Sequence, residues 1–186
     1  MDWVEESLNL APWAVVRRAR PSSSQRVSVG VRGAQRNQRW AAEVDMDDIM
    51  ETIPVDATLA YPVRRSHLPA FQALTELRTT MPPLPWGPGG SVGFELTTGL
   101  ESAHSGSDVD LIVYATQPLV EETILHLGDI TRQAMESSGV HIDILVETPS
   151  GAVAFAELAR TVGLPSIPTL MLRTSEGPAL VHNPWS

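Results

Sequence analysis

The sequence predicts an α/β chain, and three observations carry that expectation. Strand-like apolar runs alternate with helical stretches through the second half, an order that builds a sheet flanked by helices. Asp108-Val109-Asp110-Leu111-Ile112-Val113 has the two-residue period of a half-buried strand. Short apolar runs separated by polar turns fill the first 45 residues, which predicts a smaller β-rich unit ahead of the main sheet. With 186 residues and 42% apolar content, the chain can bury one core or two closely packed halves.

Element by element, Trp13–Arg18 and Arg26–Gly33 read as strands joined by the polar turn Pro21–Gln25, with Arg39–Val44 as a third strand. Asp47–Ile53 is expected as a short helix whose first-turn acids suit a positive helix start. Leu68, Phe71, Leu74 and Leu77 recur along one helix face, predicting a helix over Leu68–Thr80. Met81–Gly90 is too rich in proline and glycine for regular structure and is expected to be a junction. Val92–Leu96 and Val109–Tyr114 read as strands with a loop between, and Leu119–Ser137 as the longest helix, closed by Gly139. A strand at 141–146, a helix at Ala152–Arg160 and a closing hairpin of Thr169–Arg173 with Pro178–His182 complete the reading. The expected organisation is a β-rich unit at 1–80, a junction at 81–90 and a catalytic unit at 91–186 carrying a mixed sheet, with the site in the cleft between them.

Composition excludes several classes. No run of eighteen apolar residues exists, so no membrane helix is expected, and the acidic start lacks the apolar core of a signal peptide. The absence of cysteine removes disulfides, thiolate metal sites and thiol nucleophiles, and agrees with a cytoplasmic location. The net charge of -9 arises in residues 94–186, where three arginines face twelve acids. Between Ser7 and Ala42 there is no acid but seven arginines, and the chain has no lysine. A GC-rich genome explains the missing lysine but not this clustering. Arginine grips phosphate bidentately, so Arg32, Arg36 and Arg39 are candidate anion contacts; a charged strand edge that resists edge pairing is the alternative. The balance argues against duplex nucleic acid.

The strongest candidate site is acidic. Asp108 and Asp110 lie one residue apart and must point to the same face, with Val109, Leu111 and Val113 turned into the core. Two like charges side by side are costly without a cation between them, and an oxygen-only pair suits Mg2+ completed by substrate phosphates. In His141–Val146, Asp143 is the single acid; if the two strands are neighbours, it joins the pair. Gly90-Ser91 is expected to form a tight turn leading into the next strand. Glu95 is a further candidate to face the site, and no nucleophilic triad or zinc spacing is visible.

Glycine-serine followed by Asp-x-Asp and a later strand aspartate resembles the nucleotidyltransferase superfamily, although the spacer from Ser91 to Asp108 is longer than usual there. Leu84–Gly99 followed by His104–Leu111 more closely resembles malonate decarboxylase holo-acyl-carrier-protein synthases, the phosphoribosyl-dephospho-CoA transferases. So do Val29–Gly33 with Gln38-Arg39, Asp143 with Glu147-Thr148-Pro149, and Leu172-Arg173-Thr174 before Gly177-Pro178. Against that family, a short leading segment upstream of Met1 is expected and missing.

The resemblance implies a nucleotidyltransferase-like mixed sheet and one reaction: a serine of the acyl-carrier subunit attacks triphosphoribosyl-dephospho-CoA and pyrophosphate leaves. It implies Asp108, Asp110 and Asp143 around one or two Mg2+ ions and Asp143 helping to take the serine proton. Gly90, Ser91 and Ser107 would lie on the departing phosphates, and Arg32, Arg36 and Arg39 on donor or carrier. The competing expectations are a general nucleotidyltransferase using ATP, the sister citrate-lyase activity, and a catalytically silent binding relative.

Overall fold

The computed structural model describes residues 2–35, 37–165 and 168–186, apart from the side chain of Asp2. The chain divides into two compact units, Met1–Ile53 with Ser175–Gly177, and Pro54–Thr174 with Pro178–Ser186. The division therefore falls at Ile53, not across 81–90.

In the first unit, helix α1 (Asp2–Leu10) precedes an antiparallel sheet of β1 (Val15–Val16), β2 (Arg26–Arg32) and β3 (Arg39–Asp45), in that order. The three expected strands are present, although the first shrinks to two residues. Helix α1 was not anticipated; it packs on β2, and its Trp3 ring lies where a side chain on Gly33 would have to go. The helix expected at Asp47–Ile53 is one 3-10 turn, Met46–Asp48, with no buried residue to hold a longer one.

The second unit holds a six-stranded mixed sheet in the order β4-β5-β6-β7-β8-β9: Trp86–Pro88, Val109–Tyr114, Ile142–Thr148, Gly151–Ala154, Leu170–Thr174 and Gly177–Val181. β4 runs antiparallel to β5, β5 parallel to β6, and β6 antiparallel to β7. Helix α4 (Glu121–Ser138) makes the crossover between β5 and β6 and packs against α2 (Pro69–Thr80). Its C-terminus is closed by Gly139 in the left-handed region, as the sequence predicts. Val109, Leu111 and Val113 of β5 are 1% exposed or less and join Phe71, Leu74 and Leu77 of α2 in one core.

Three expectations fail here. Trp86–Pro88 is a strand of the sheet and not part of a junction, because its three buried residues pair with Leu111, Ile112 and Val113. Val92–Leu96 lies within helix α3 (Gly90–Thr98), burying Val92, Gly93, Glu95 and Leu96 at helical spacing. Ala152–Arg160 begins as β7, and the helix is only α5 (Phe155–Ala159).

Candidate active site

The strand period places the carboxylates as expected. Asp108, just ahead of β5, and Asp110 within it are exposed, while Val109 between them is fully buried. Asp143 on β6 is likewise exposed between buried Ile142 and Ile144. The parallel register sets Asp110 directly opposite Asp143, so these two aspartates share one face on neighbouring strands. His141 reaches Asp143 across 3.2 Å, Nε2 to Oδ1, in an exposed pair.

Among the described residues, no three acidic or histidine side chains converge closely enough to hold a metal ion. Asp110 and Asp143 are brought together; Asp108 shares their face without closing a triad. As a donor set the pair fits magnesium, which takes one or two protein carboxylates and completes its shell with water and substrate phosphates.

Gly90-Ser91 opens helix α3 and is not the tight turn between strands that was expected. Gly90 sits at φ 56°, and a Cβ there would collide with Oδ2 of Asp110. Only glycine combines that backbone with that approach. The Gly89 N–H donates to the Asp110 carbonyl at 2.8 Å, fixing the helix start against β5. The first-turn amides of a helix have no carbonyl partner inside it and carry its positive end, so an anion beside Asp110 would meet N–H donors.

Glu95 does not face this site. It is 6% exposed and paired with Arg65, whose Nε donates to Oε1 at 2.8 Å while Nη2 donates to Oε2. The Ser102 and Ala103 N–H groups donate to the same Oε2 at 3.0 and 2.9 Å. Burial pushes the Glu95 carboxyl up, but the Arg65 hydrogen bonds, the two amides and the Arg65 charge outweigh it and hold the carboxyl below its ordinary value.

The loop from Gly99 to Asp108 thereby folds back along α3. Ser102 Oγ donates to the Ser91 carbonyl at 2.7 Å, and Arg65 Nη2 to the Ala103 carbonyl at 2.7 Å. Ser107, expected to contact phosphate, is buried. Its Oγ accepts the His104 N–H at 2.9 Å and its own N–H donates to the His104 carbonyl at 3.0 Å. His104 Nδ1 accepts the Gly106 N–H, so this histidine is engaged in the loop.

The arginines expected on phosphate belong to the first unit. Arg32 of β2 lies directly opposite Arg39 of β3 at the turn end of the hairpin, while Arg36 falls outside the described residues. A cavity of about 410 Å³ lies elsewhere in the second unit, between the start of α4 and the chain after α5, lined by Leu119, Ile124 and Val162. It holds none of the three aspartates.

Comparison with known proteins agrees with this division. The family model "Phosphoribosyl-dephospho-CoA transferase MdcG C-terminal domain" matches residues 58–184, and the corresponding N-terminal domain model matches 1–54. The gap between the matches falls next to the boundary between the compact units. A phosphoribosyl-dephospho-CoA transferase of Pseudomonas aeruginosa is 35% identical over 186 residues, covering 98% of this chain and 84% of the relative. One from Pseudomonas putida is 37% identical, covering 99% and 85%, and one from Klebsiella pneumoniae 34%, covering 98% and 86%. No solved structure matches. With both halves matched in order and relatives 34–37% identical over nearly the whole chain, the chain belongs to the phosphoribosyl-dephospho-CoA transferase family of enzymes.

Proposed function

We propose that this transferase moves the phosphoribosyl-dephospho-CoA group from triphosphoribosyl-dephospho-CoA to a serine of the apo acyl-carrier subunit of malonate decarboxylase, releasing pyrophosphate. The observation that carries the reading is Asp110 opposite Asp143 on parallel strands, with the start of α3 against Asp110. Chemically, the serine oxygen bonds to the ribose-linked phosphorus of the donor's triphosphate. The bond from that phosphorus to the outgoing pyrophosphate oxygen breaks, and the serine proton passes to Asp143.

Each group has a task suited to its place. Asp143 accepts the proton, with His141 at 3.2 Å holding its carboxylate. The first-turn amides of Gly90 and Ser91 receive the departing pyrophosphate. Asp110 and Asp143 would hold magnesium, with Asp108 on the same face beside them, and the ion when bound would supply charge neutralisation at the attacking and leaving oxygens. Arg32 and Arg39, opposite each other on the first unit's hairpin, offer positive charge to an acidic carrier.

Mass spectrometry of the carrier tests the reading. The protein is mixed with magnesium, apo carrier and triphosphoribosyl-dephospho-CoA, with ATP as competing donor and a citrate-lyase carrier in parallel. A mass gain equal to phosphoribosyl-dephospho-CoA on the malonate decarboxylase carrier is expected. An adenylyl mass gain from ATP moves the answer to a general nucleotidyltransferase, and preference for the other carrier moves it to the citrate-lyase activity. No gain from either donor, with folded protein, would leave a silent binding relative.

A further inference from the structure

We infer that Arg65 and Glu95 are positioning residues: they strap the loop from Gly99 to Ser107 onto helix α3 and so deliver Asp108 beside Asp110. The inference rests on the transfer reading above. Ser91 and Asp108 are far apart in sequence for two parts of one phosphate site, and the intervening chain must leave the far end of α3 and return to its start. Helix α3 ends at Gly99, φ 74°, with the Gly99 N–H on the Glu95 carbonyl at 2.8 Å. From there the loop runs back, and the Glu95–Arg65 pair holds it where it passes.

Three features separate a strap from an ordinary surface ion pair. Glu95 is buried, and its Oε2 accepts two successive loop amides as well as Arg65. Arg65 grips the same loop from the other side through the Ala103 carbonyl. Ser102 then ties the loop to the carbonyl of Ser91, the residue proposed to receive pyrophosphate, through a 2.7 Å bond. Glu95 lies one helical turn after Ser91, so the strap and the phosphate end of α3 are adjacent. Neither residue reaches the aspartate face, so both act through the loop.

The test compares Glu95→Gln and Arg65→Lys with the parent protein by amide hydrogen exchange and by steady-state transfer. In Glu95→Gln, exchange over 99–107 should accelerate at least about tenfold with β5 and β6 unchanged. The turnover number should fall at least about tenfold while KM for the donor stays within about twofold. Arg65→Lys keeps the charge but cannot bond Glu95 and the Ala103 carbonyl with one planar fork, so it should show a smaller change in the same direction. If Glu95→Gln does not fold, Arg65→Lys decides. Unchanged loop exchange in the folded variants overturns the strap, and faster exchange with an unchanged turnover number overturns the positioning role. A parent protein that transfers nothing, while Glu95→Gln still loosens the loop, would sink the transfer reading and leave the strap standing.

Discussion

Two cross-strand pairs in this chain treat charge in opposite ways. At one end of the β2–β3 hairpin, Arg26 faces Asp45 in register, with Nε 3.2 Å from Oδ1 and Glu43 also in reach at 3.7 Å. On β5–β6 the register instead sets Asp110 against Asp143. Opposite charges across a ladder stabilise it slightly, and like charges cost a similar amount. The first arrangement is what folding alone favours; the second sets two like charges side by side on the solvent face of the strands, opposite the buried one. That contrast separates structural from chemical carboxylates in this molecule, and Glu95, buried and fully bonded, falls on the structural side.

The contrast can be broken most forcefully at Asp143. Asp143→Asn removes the proton acceptor while keeping size and shape, and transfer should fall by about 100-fold or more, read by carrier mass shift under single turnover. Gly90→Ala follows. The left-handed backbone costs a side chain about 1–2 kcal/mol, and its Cβ must push Asp110 aside. Denaturant unfolding should show the stability loss, with transfer falling further than stability alone explains.

A smaller effect comes from Glu95 on the acid side. Its folded carboxyl lies below its ordinary value near 4.5, so the unfolded chain takes up its proton first as pH falls. The stability it contributes is full above about pH 4.5 and is lost as pH falls through the lower folded value. The denaturant midpoint of the parent should therefore drop more steeply with acidification than that of Glu95→Gln. Least of all, Arg26→Ala should move the melting temperature by about 1–3 °C, less at high salt, and leave transfer unchanged, because Asp45 is exposed and Glu43 only half-buried.

Much of the site was legible because it rests on local period. Alternation along 108–113 fixes which way the aspartates point, and a helix between two short apolar strands makes them parallel neighbours. Helix α3 was not legible. Gly90-Ser91-Val92-Gly93-Phe94 has two glycines and β-favouring residues, and its helix is set by tertiary contacts: the Gly89 bond to β5 and burial of Val92, Gly93 and Leu96. Reading that stretch as a strand also misplaced Glu95. An acid inside an apolar run was the available signal of a buried pair, but its partner lies 30 residues upstream. Proline and glycine at 81–90 suggested a junction, yet Trp86–Pro88 sits buried beside β5, and the true boundary at Ile53 has no comparable marker in composition. Helix α1 was missed because nine residues are too few to hold a helix alone, and packing on β2 completes it.

Asp110→Asn, measured for melting temperature and carrier modification on the same preparation, tests the central claim most directly. If Asp110 opposes Asp143 for the sake of chemistry, transfer should fall by more than about 100-fold, roughly 2.7 kcal/mol of barrier. The melting temperature should then hold, because Asn keeps the side chain's size and an oxygen acceptor. A lower melting temperature with activity that merely tracks the folded fraction would contradict the account and make Asp110 another structural carboxylate.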